Sequence, residues 1–577
     1  MTTPPSHSHL RRSQIQIDIR IKGLEESIRA LKEERNNYSL AVRVPAEILT
    51  HIFLLTIHHG CDDSTKQQLI LPHVCRHWYA VASHSQEYWR YQALGRKGWR
   101  PHLIDRAGGR TLHVSGCIDG RYRDYSAEDS SVTNRLSQAE SVKISVQTLI
   151  QRTDNQEYDV PNFLRQFLAE AAPNLKSFNL SFHDSVDPYT IPTDVFNGDI
   201  PRLRSLSLSR MRWSWSSPLF LPTLTHLDLE GPVTWGKECI EALRNLLSLR
   251  YLRIADTLEA PIDFSSRLGS WQISYTPSIP LKHLEILALH GTAFGLNPLR
   301  SELDFPLSTE LTLSYYLNQM RYWDYELEPL LSSTQKYLHR LEKASTPIRF
   351  LHVKCSKDDY EDAIFRFSTS NPLVEPFDFI NTIDLDPLFE LKLQMTPIRP
   401  HNPESFFECV FWRVSNELPL DKVEILFLDH VPEAGSSYPS LAYGAFKGVK
   451  TLCISGSETM DILRTLTPHS PEGSDNNWRA EHWFSPRDKE LLFPEVKEVI
   501  LYDADFKPDM EPDTLLRFIM GHWQRGRHVD VSLSHCRNIQ VDWINPLCDD
   551  FSVEWDGLGG VVVCESCGLS KSGEGES

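Results

Sequence analysis

Six side chains able to bind a soft divalent metal fall close together, namely His58, His59, Cys61, His73, Cys75 and His77. Zinc asks for thiolate and imidazole ligands converging tetrahedrally, and this spacing is not that of a zinc finger. His73, Cys75 and His77 step by two, so no helix can present all three on one face. Cys75 therefore reads as a small buried residue rather than a ligand. Near the end of the chain Cys564 and Cys567 form a single C-x-x-C pair, which Cys536 and Cys548 complete only if the chain folds back. Free thiols are expected at these positions, and no metal. No P-loop, glycine-rich dinucleotide turn, nucleophile elbow or zinc-protease histidine pair is present. With 77 acidic residues, a carboxylate pair close in sequence says nothing about acid–base catalysis. No catalytic residue and no cofactor are expected.

Composition points the same way. Across 577 residues, 41% hydrophobic and 24% charged side chains supply a sizeable core, enough for roughly two to four folded units or a repeat array. The net charge of −18, from 59 basic and 77 acidic residues, disfavours a nucleic-acid footprint. Its acidity belongs to the long part after residue 95, since the first 95 residues are slightly basic. The polar start, 1–14, is expected to be disordered and lacks the apolar core of a signal peptide. The longest apolar stretch, Ile48 to Ile57, is too short for a membrane span. Eleven cysteines without framework spacing suit a reducing compartment, cytoplasm or nucleus.

Two kinds of element follow from the periodicity. Over residues 15–39, Ile17, Ile21, Leu24, Ile28, Leu31 and Tyr38 fall on one stripe interrupted by Arg35, which predicts an amphipathic helix. Three heptads are marginal for a coiled coil, so the stripe is expected either to pack on its own protein or to pair with a second chain. Pro45 then suits a first helical position, with Glu47 in the first turn, where the helix dipole favours an anion. Ile48, Leu49, Ile52 and Phe53 give that helix a broad apolar face. A second run holds Val74, Cys75, Trp78 and Val81, and a third is centred on Trp89.

Three short helices form a very small core that needs support from a partner surface. The order Val-Pro-Ala-Glu-Ile-Leu, Ile-Phe, Val-Cys-Arg-His-Trp and Tyr-Trp over residues 40–95 resembles the F-box, and with the upstream helix it is similar to F-box proteins of mushroom-forming fungi. The resemblance implies docking to a Skp-type adaptor and, through it, to a cullin-RING ubiquitin ligase. Carried over, Val44, Pro45, Glu47, Ile48, Leu49, Ile52 and Phe53 match the motif's opening, and Val74, Cys75, Trp78 and Trp89 its later helices. Val44 departs from the family's usual leucine. Leu49 and Trp78 are expected to act as docking anchors.

Residues 96–170 read as a connector and cap. Beyond them an aliphatic residue is followed three positions later by a second and two later by a third. Instances are Leu175-Phe178-Leu180, Leu203-Leu206-Leu208, Leu224-Leu227-Leu229, Leu249-Leu252-Ile254, Leu284-Leu287-Leu289, Ile348-Leu351-Val353, Val423-Leu426-Leu428, Val449-Leu452-Ile454 and Val496-Val499-Leu501. The last two of each point to one face of a strand. This is the leucine-rich-repeat arrangement, with degenerate units expected near Leu311-Leu313 and Ile380-Ile383-Leu385. It departs from the usual repeat, because the polar ladder position holds His183, Met211, Pro232, Thr257 or Thr292.

The fold class expected is an α+β chain: an N-terminal helix, a three-helix F-box, and an irregular α/β solenoid with parallel strands over 171–545. A C-terminal cap and polar tail cover 546–577, and Glu433 to Ser440 and Ser470 to Trp478 read as exposed loops. Stacked repeats would leave an extended concave surface for a protein ligand. The function expected is a non-catalytic substrate receptor of a cullin-RING ligase, its partners being the adaptor, the cullin and an unidentified target protein, with no nucleic acid and no membrane. The alternative is a scaffold that uses the repeats outside any ligase.

Overall fold

In the computed structural model, each strand that carries a triplet buries its second and fourth residues and returns through a helix or loop, as the triplets require. The structure describes residues 7–38, 43–58, 68, 70–93, 105–119, 136–148, 160–184, 189–232, 237–256, 279–317, 323–355, 362–369, 389–395, 403–431, 442–456, 459–466, 492–506, 513–523, 526–540, 552–556, 560–563 and 570–572. They fall into two units, Met1–Leu224 and Thr225–Ser577. The exposed loops expected at 433–440 and 470–478, the repeat unit expected at 380–385, and Cys61, Cys548, Cys564 and Cys567 lie outside the described residues.

The first unit opens with helix α1 (His7–Asn37), α2 (Ala46–His58), a 3-10 turn at Leu71–His73, α3 (Arg76–His84) and a 3-10 turn at Tyr88–Arg90. The last turn runs straight into β1 (Tyr91–Ala93), which pairs in parallel with β2 (Leu112–Asp119). β3 (Ala139–Thr148), β4 (Ser177–Asp184) and β5 (Ser205–Ser209) continue the ladder, all parallel, with α4 (Val160–Leu168) returning the chain between β3 and β4. The described residues of the segment expected as a connector thus include two strands of the ladder, which begins well before residue 171.

The second unit holds β6 (His226–Gly231), β7 (Tyr251–Asp256), β8 (Ile286–Thr292), β9 (Glu310–Leu317), β10 (Phe350–Cys355), β11 (Asp362–Ser368), β12 (Phe389–Met395), β13 (Ile425–Asp429), β14 (Thr451–Ser455), β15 (Glu498–Tyr502), β16 (Asp530–Ser534) and β17 (Val553–Trp555). Their spatial order is β6-β7-β8-β9-β12-β11-β10-β13-β14-β15-β16-β17. All pairings are parallel except those of β11, which runs antiparallel to both neighbours. After β9 the chain skips two places, lays down β10, and doubles back through β11 and β12 to fill the gap. Helices Lys237–Asn245, Ala293–Glu302, Trp323–Lys343, Pro403–Glu417, Thr459–Leu466 and Asp513–Trp523 form return segments between parallel strands. This is an α/β array of parallel strands with helical returns, interrupted once by a meander. At the C-terminal end, Ser570–Ser572 pairs antiparallel with Gly560–Val563, so the polar tail carries a strand.

All nine triplets fall on strands in the expected register, with the inner pair of each, such as Leu252 and Ile254 or Leu426 and Leu428, fully buried. The other face differs along the chain. β5 and β6 alternate buried residues with half-buried or exposed ones, leaving Ser205, Ser207 and Ser209, or His226, Asp228 and Glu230, open. β10 and β13 to β16, which are consecutive in space, are buried largely on both faces, whereas β11 and β12 alternate: every residue of β13 is buried, and Phe350, Ile425, Phe427, Cys453 and Ile500 form an apolar cluster on the side away from Leu426 and Leu428. The continuous open strand surface expected for the solenoid therefore does not extend over this stretch.

Two-sided burial has a measurable consequence at adjacent residues. Leu428→Ala and Phe427→Ala, on opposite faces of β13, are each expected to cost about 2–5 kcal/mol in urea unfolding, whereas Ser207→Ala on β5 stays within about 0.5 kcal/mol. A near-neutral Phe427→Ala would show that its face is open.

Candidate protein-docking face

α2 starts at its proline. The Leu49 N–H donates to the Pro45 carbonyl at 2.9 Å, which makes Pro45 the residue flanking the helix rather than its first turn, one position earlier than expected. Glu47 sits in the first turn and is solvent-exposed. α3 is capped by Cys75, whose Sγ accepts from the Trp78 N–H at 3.5 Å. Cys75 therefore has a structural task, and among the described residues no three potential ligands converge to hold a metal. The described cysteines, including buried Cys239, Cys453 and Cys536, are free thiols, and burial pushes the pKa of these three upward. No described helix is long and apolar enough to cross a membrane.

The residues matched to the docking motif divide into two sets. Leu49 and Phe53, with Ile57, are buried one turn apart and form the inner face of α2. Phe53 meets Trp78 edge-on at 5.1 Å and Tyr88 at 5.6 Å, and Tyr88 in turn meets Trp89 at 4.8 Å. Trp89 is 2% exposed, donates its indole N–H to the Ala82 carbonyl at 2.7 Å, and carries the Arg106 guanidinium 5.0 Å from its ring centre. Buried Gln68 closes the corner, donating to the carbonyls of Tyr88 and Tyr91 at 2.9 Å and accepting from the Tyr88 hydroxyl at its own carbonyl. These side chains hold α2, α3 and the two 3-10 turns together, the run expected as a third helix around Trp89 being only the turn Tyr88–Arg90.

The second set faces outward. Ile48 is 54% exposed, Ile52 43% and Leu55 44%, at i, i+4 and i+7 along one stripe of α2. Val74, with Ile70 and Tyr79, is also about half exposed or more, while Val44, Cys75 and Trp78 are half-buried and Pro45 is exposed. Leu55, Ile70 and Tyr79 are absent from the motif match. The i+7 spacing from Ile48 was the signal that could have found Leu55.

Arg90 joins this unit to the array. It donates to the Thr111 carbonyl at 2.8 Å, to Thr111 Oγ1 at 3.0 Å and to Glu140 Oε2 at 2.8 Å, and it pairs with Glu87. Glu140, at the start of β3, also accepts from Lys176 Nζ at 2.8 Å. Hydrogen bonds from Lys176 and Thr111, with the charges of Lys176 and Arg90, hold the Glu140 carboxyl at about 2.

No protein-family model and no curated protein matches the sequence. Among solved structures, a leucine-rich-repeat protein of Leptospira interrogans is similar over 79% of this chain and 92% of its own, at 12% identity and a TM-score of 0.27. A likeness that distant adds nothing to the strand order and register described above.

A carboxylate held below its unfolded value contributes stability above that value and loses it as pH falls toward the folded one. The stability advantage of the native chain over Glu140→Gln is therefore expected in full above pH 4.5 and to vanish as pH falls toward about 2, followed by thermal melting. A difference that persists unchanged to the acid end would remove the carboxylate from this role.

Proposed function

We propose that residues 40–95 act as an F-box, docking to a Skp-type adaptor and so tethering the chain to a cullin-RING ubiquitin ligase as a substrate receptor. The observation that carries the reading is the exposed stripe Ile48, Ile52 and Leu55 on a helix whose other face is locked by Leu49, Phe53 and Ile57. A contiguous apolar stripe left in water on a small domain marks a binding surface. Val74 and Ile70 add exposed apolar area within the same unit. Glu47 and Pro45 are exposed beside the stripe, where they can lie at the rim of such an interface.

The chain's contribution is positioning. A target held on the array lies at a fixed distance from the docked adaptor, because Arg90 and β1 tie the helical unit to β2 and β3, and the gain is effective concentration. The target surface is assigned to the polar strand faces that stay open in the same unit, those of β3 to β5, rather than to the doubly buried β10 and β13 to β16. A scaffold that uses the adaptor outside any ligase shares the docking step, and co-purification of a cullin separates the two.

The two sets of α2 residues make different predictions. Ile48→Glu and Ile52→Glu together are expected to weaken adaptor binding at least about thirtyfold, which is about 2 kcal/mol, with the melting temperature unchanged. Leu49→Ala is expected to lower the melting temperature first, through a cavity costing about 2–5 kcal/mol. Titration calorimetry of the full chain against a Skp-type adaptor reads both. Unaltered binding by the well-folded Ile48→Glu/Ile52→Glu chain would refute the docking stripe.

A further inference from the structure

A different apolar surface lies on α1, and its argument does not rest on the docking reading. Ile17, Ile21, Leu24, Ile28 and Leu31 are all about half exposed or more, along the 4-3-4-3 spacing of a coiled-coil seam. Glu33 lies on the opposite side of α1 from this seam, and it pairs with Arg76 of α3. The helix thus touches its own chain with its back and leaves the seam outward. Ile15 and Ile19 are exposed off the seam and take no part in it.

We propose that the seam pairs with α1 of a second copy of this chain, antiparallel. The residue types choose the orientation. In a parallel dimer each seam residue meets itself, which would bring the two Arg35 guanidinium groups together in the core. Reversing one helix about the midpoint of the apolar stretch matches Ile21 with Leu31 of the second copy and Leu24 with its Ile28. Arg35 then lies at the end of the seam opposite Ile17, away from the other Arg35.

The flanking charges agree with that register. Arg20 faces Glu34 of the second copy and Asp18 faces its Lys32, and the twofold axis repeats each pair, giving four attractive contacts. One like-charged meeting remains, Glu25 with its own mate near the axis. Parallel alignment offers one kind of attractive pair, Arg20 with Glu25 of the second copy, and leaves Arg35 against Arg35. All of these side chains are exposed and available.

The test is light scattering after size exclusion on the full chain at micromolar concentration, with circular dichroism to check folding. A mass of twice 66.4 kDa is expected, falling to the monomer in Ile21→Glu/Ile28→Glu. Arg20→Glu alone and Glu34→Arg alone are each expected to weaken the dimer about tenfold, and the double variant to restore it, because the exchanged charges again attract. A monomeric wild-type chain, or a dimer indifferent to Ile21→Glu/Ile28→Glu, overturns the proposal. Rescue by Arg20→Glu/Glu25→Arg in place of Arg20→Glu/Glu34→Arg assigns the parallel form and overturns the orientation. A chain that stays monomeric alone but needs an intact α1 to bind the adaptor gives the seam to the adaptor and overturns it as well.

Discussion

Side chains on a strand alternate between faces, so each parallel strand here can commit alternate residues to one interior, and nearly everything else in the array follows from that. Phe178 and Leu180, Leu206 and Leu208, and Leu227 and Leu229 are each shielded by return segments and by the equivalent pair on neighbouring strands. Fully burying one such side chain contributes about 1.5–3 kcal/mol, and no repeat can bury its own pair alone. Stability is therefore a sum of neighbour contacts, which leaves the ends of the ladder exposed to fraying. In the first unit the helical segment supplies a short closing strand, since β1 pairs with β2 directly after the turn that carries Trp89. Three residues are too few to offer a long open edge.

The helical unit is small, and its interior is made mostly of rings. Phe53, Trp78, Tyr88 and Trp89 pack large ring areas with few rotatable bonds, and the Tyr88 hydroxyl and Trp89 indole N–H end on the carbonyls of Gln68 and Ala82. Locking α2 from within in this way leaves Ile48, Ile52 and Leu55 facing solvent in a fixed array. An apolar stripe exposed on a rigid helix is pre-organised for a partner, because little side-chain and backbone freedom remains to be lost on contact. Arg90 transmits that rigidity to the array through Thr111 and Glu140.

The ladder was largely legible in the sequence because its signal is local: an aliphatic residue, then two more at fixed offsets. It failed where one member is too small or polar for the pattern while the backbone still joins the ladder. Ala139 stands at the anchor of β3, Gly116 at an inner position of β2, and His528 at the anchor of β16, so those strands escape the triplet pattern. The reversal through β11 was not legible, since pairing direction is set by long-range contacts and by the return segments rather than by local periodicity. In the docking segment, periodicity marked one broad apolar face over Ile48, Leu49, Ile52 and Phe53. It could not say which half faces inward, because that depends on where Trp78 and Tyr88 arrive from elsewhere in the chain.

The central claim is that the outward stripe of α2 meets a partner while its inward residues hold the fold. Amide hydrogen exchange of the full chain, with and without a Skp-type adaptor, tests this most directly, because it maps contact without altering a residue. The account predicts added protection confined to 46–58 and the neighbouring 70–84, with the strands from β6 onward unchanged. Protection that appears on the strands while α2 exchanges as before would contradict it.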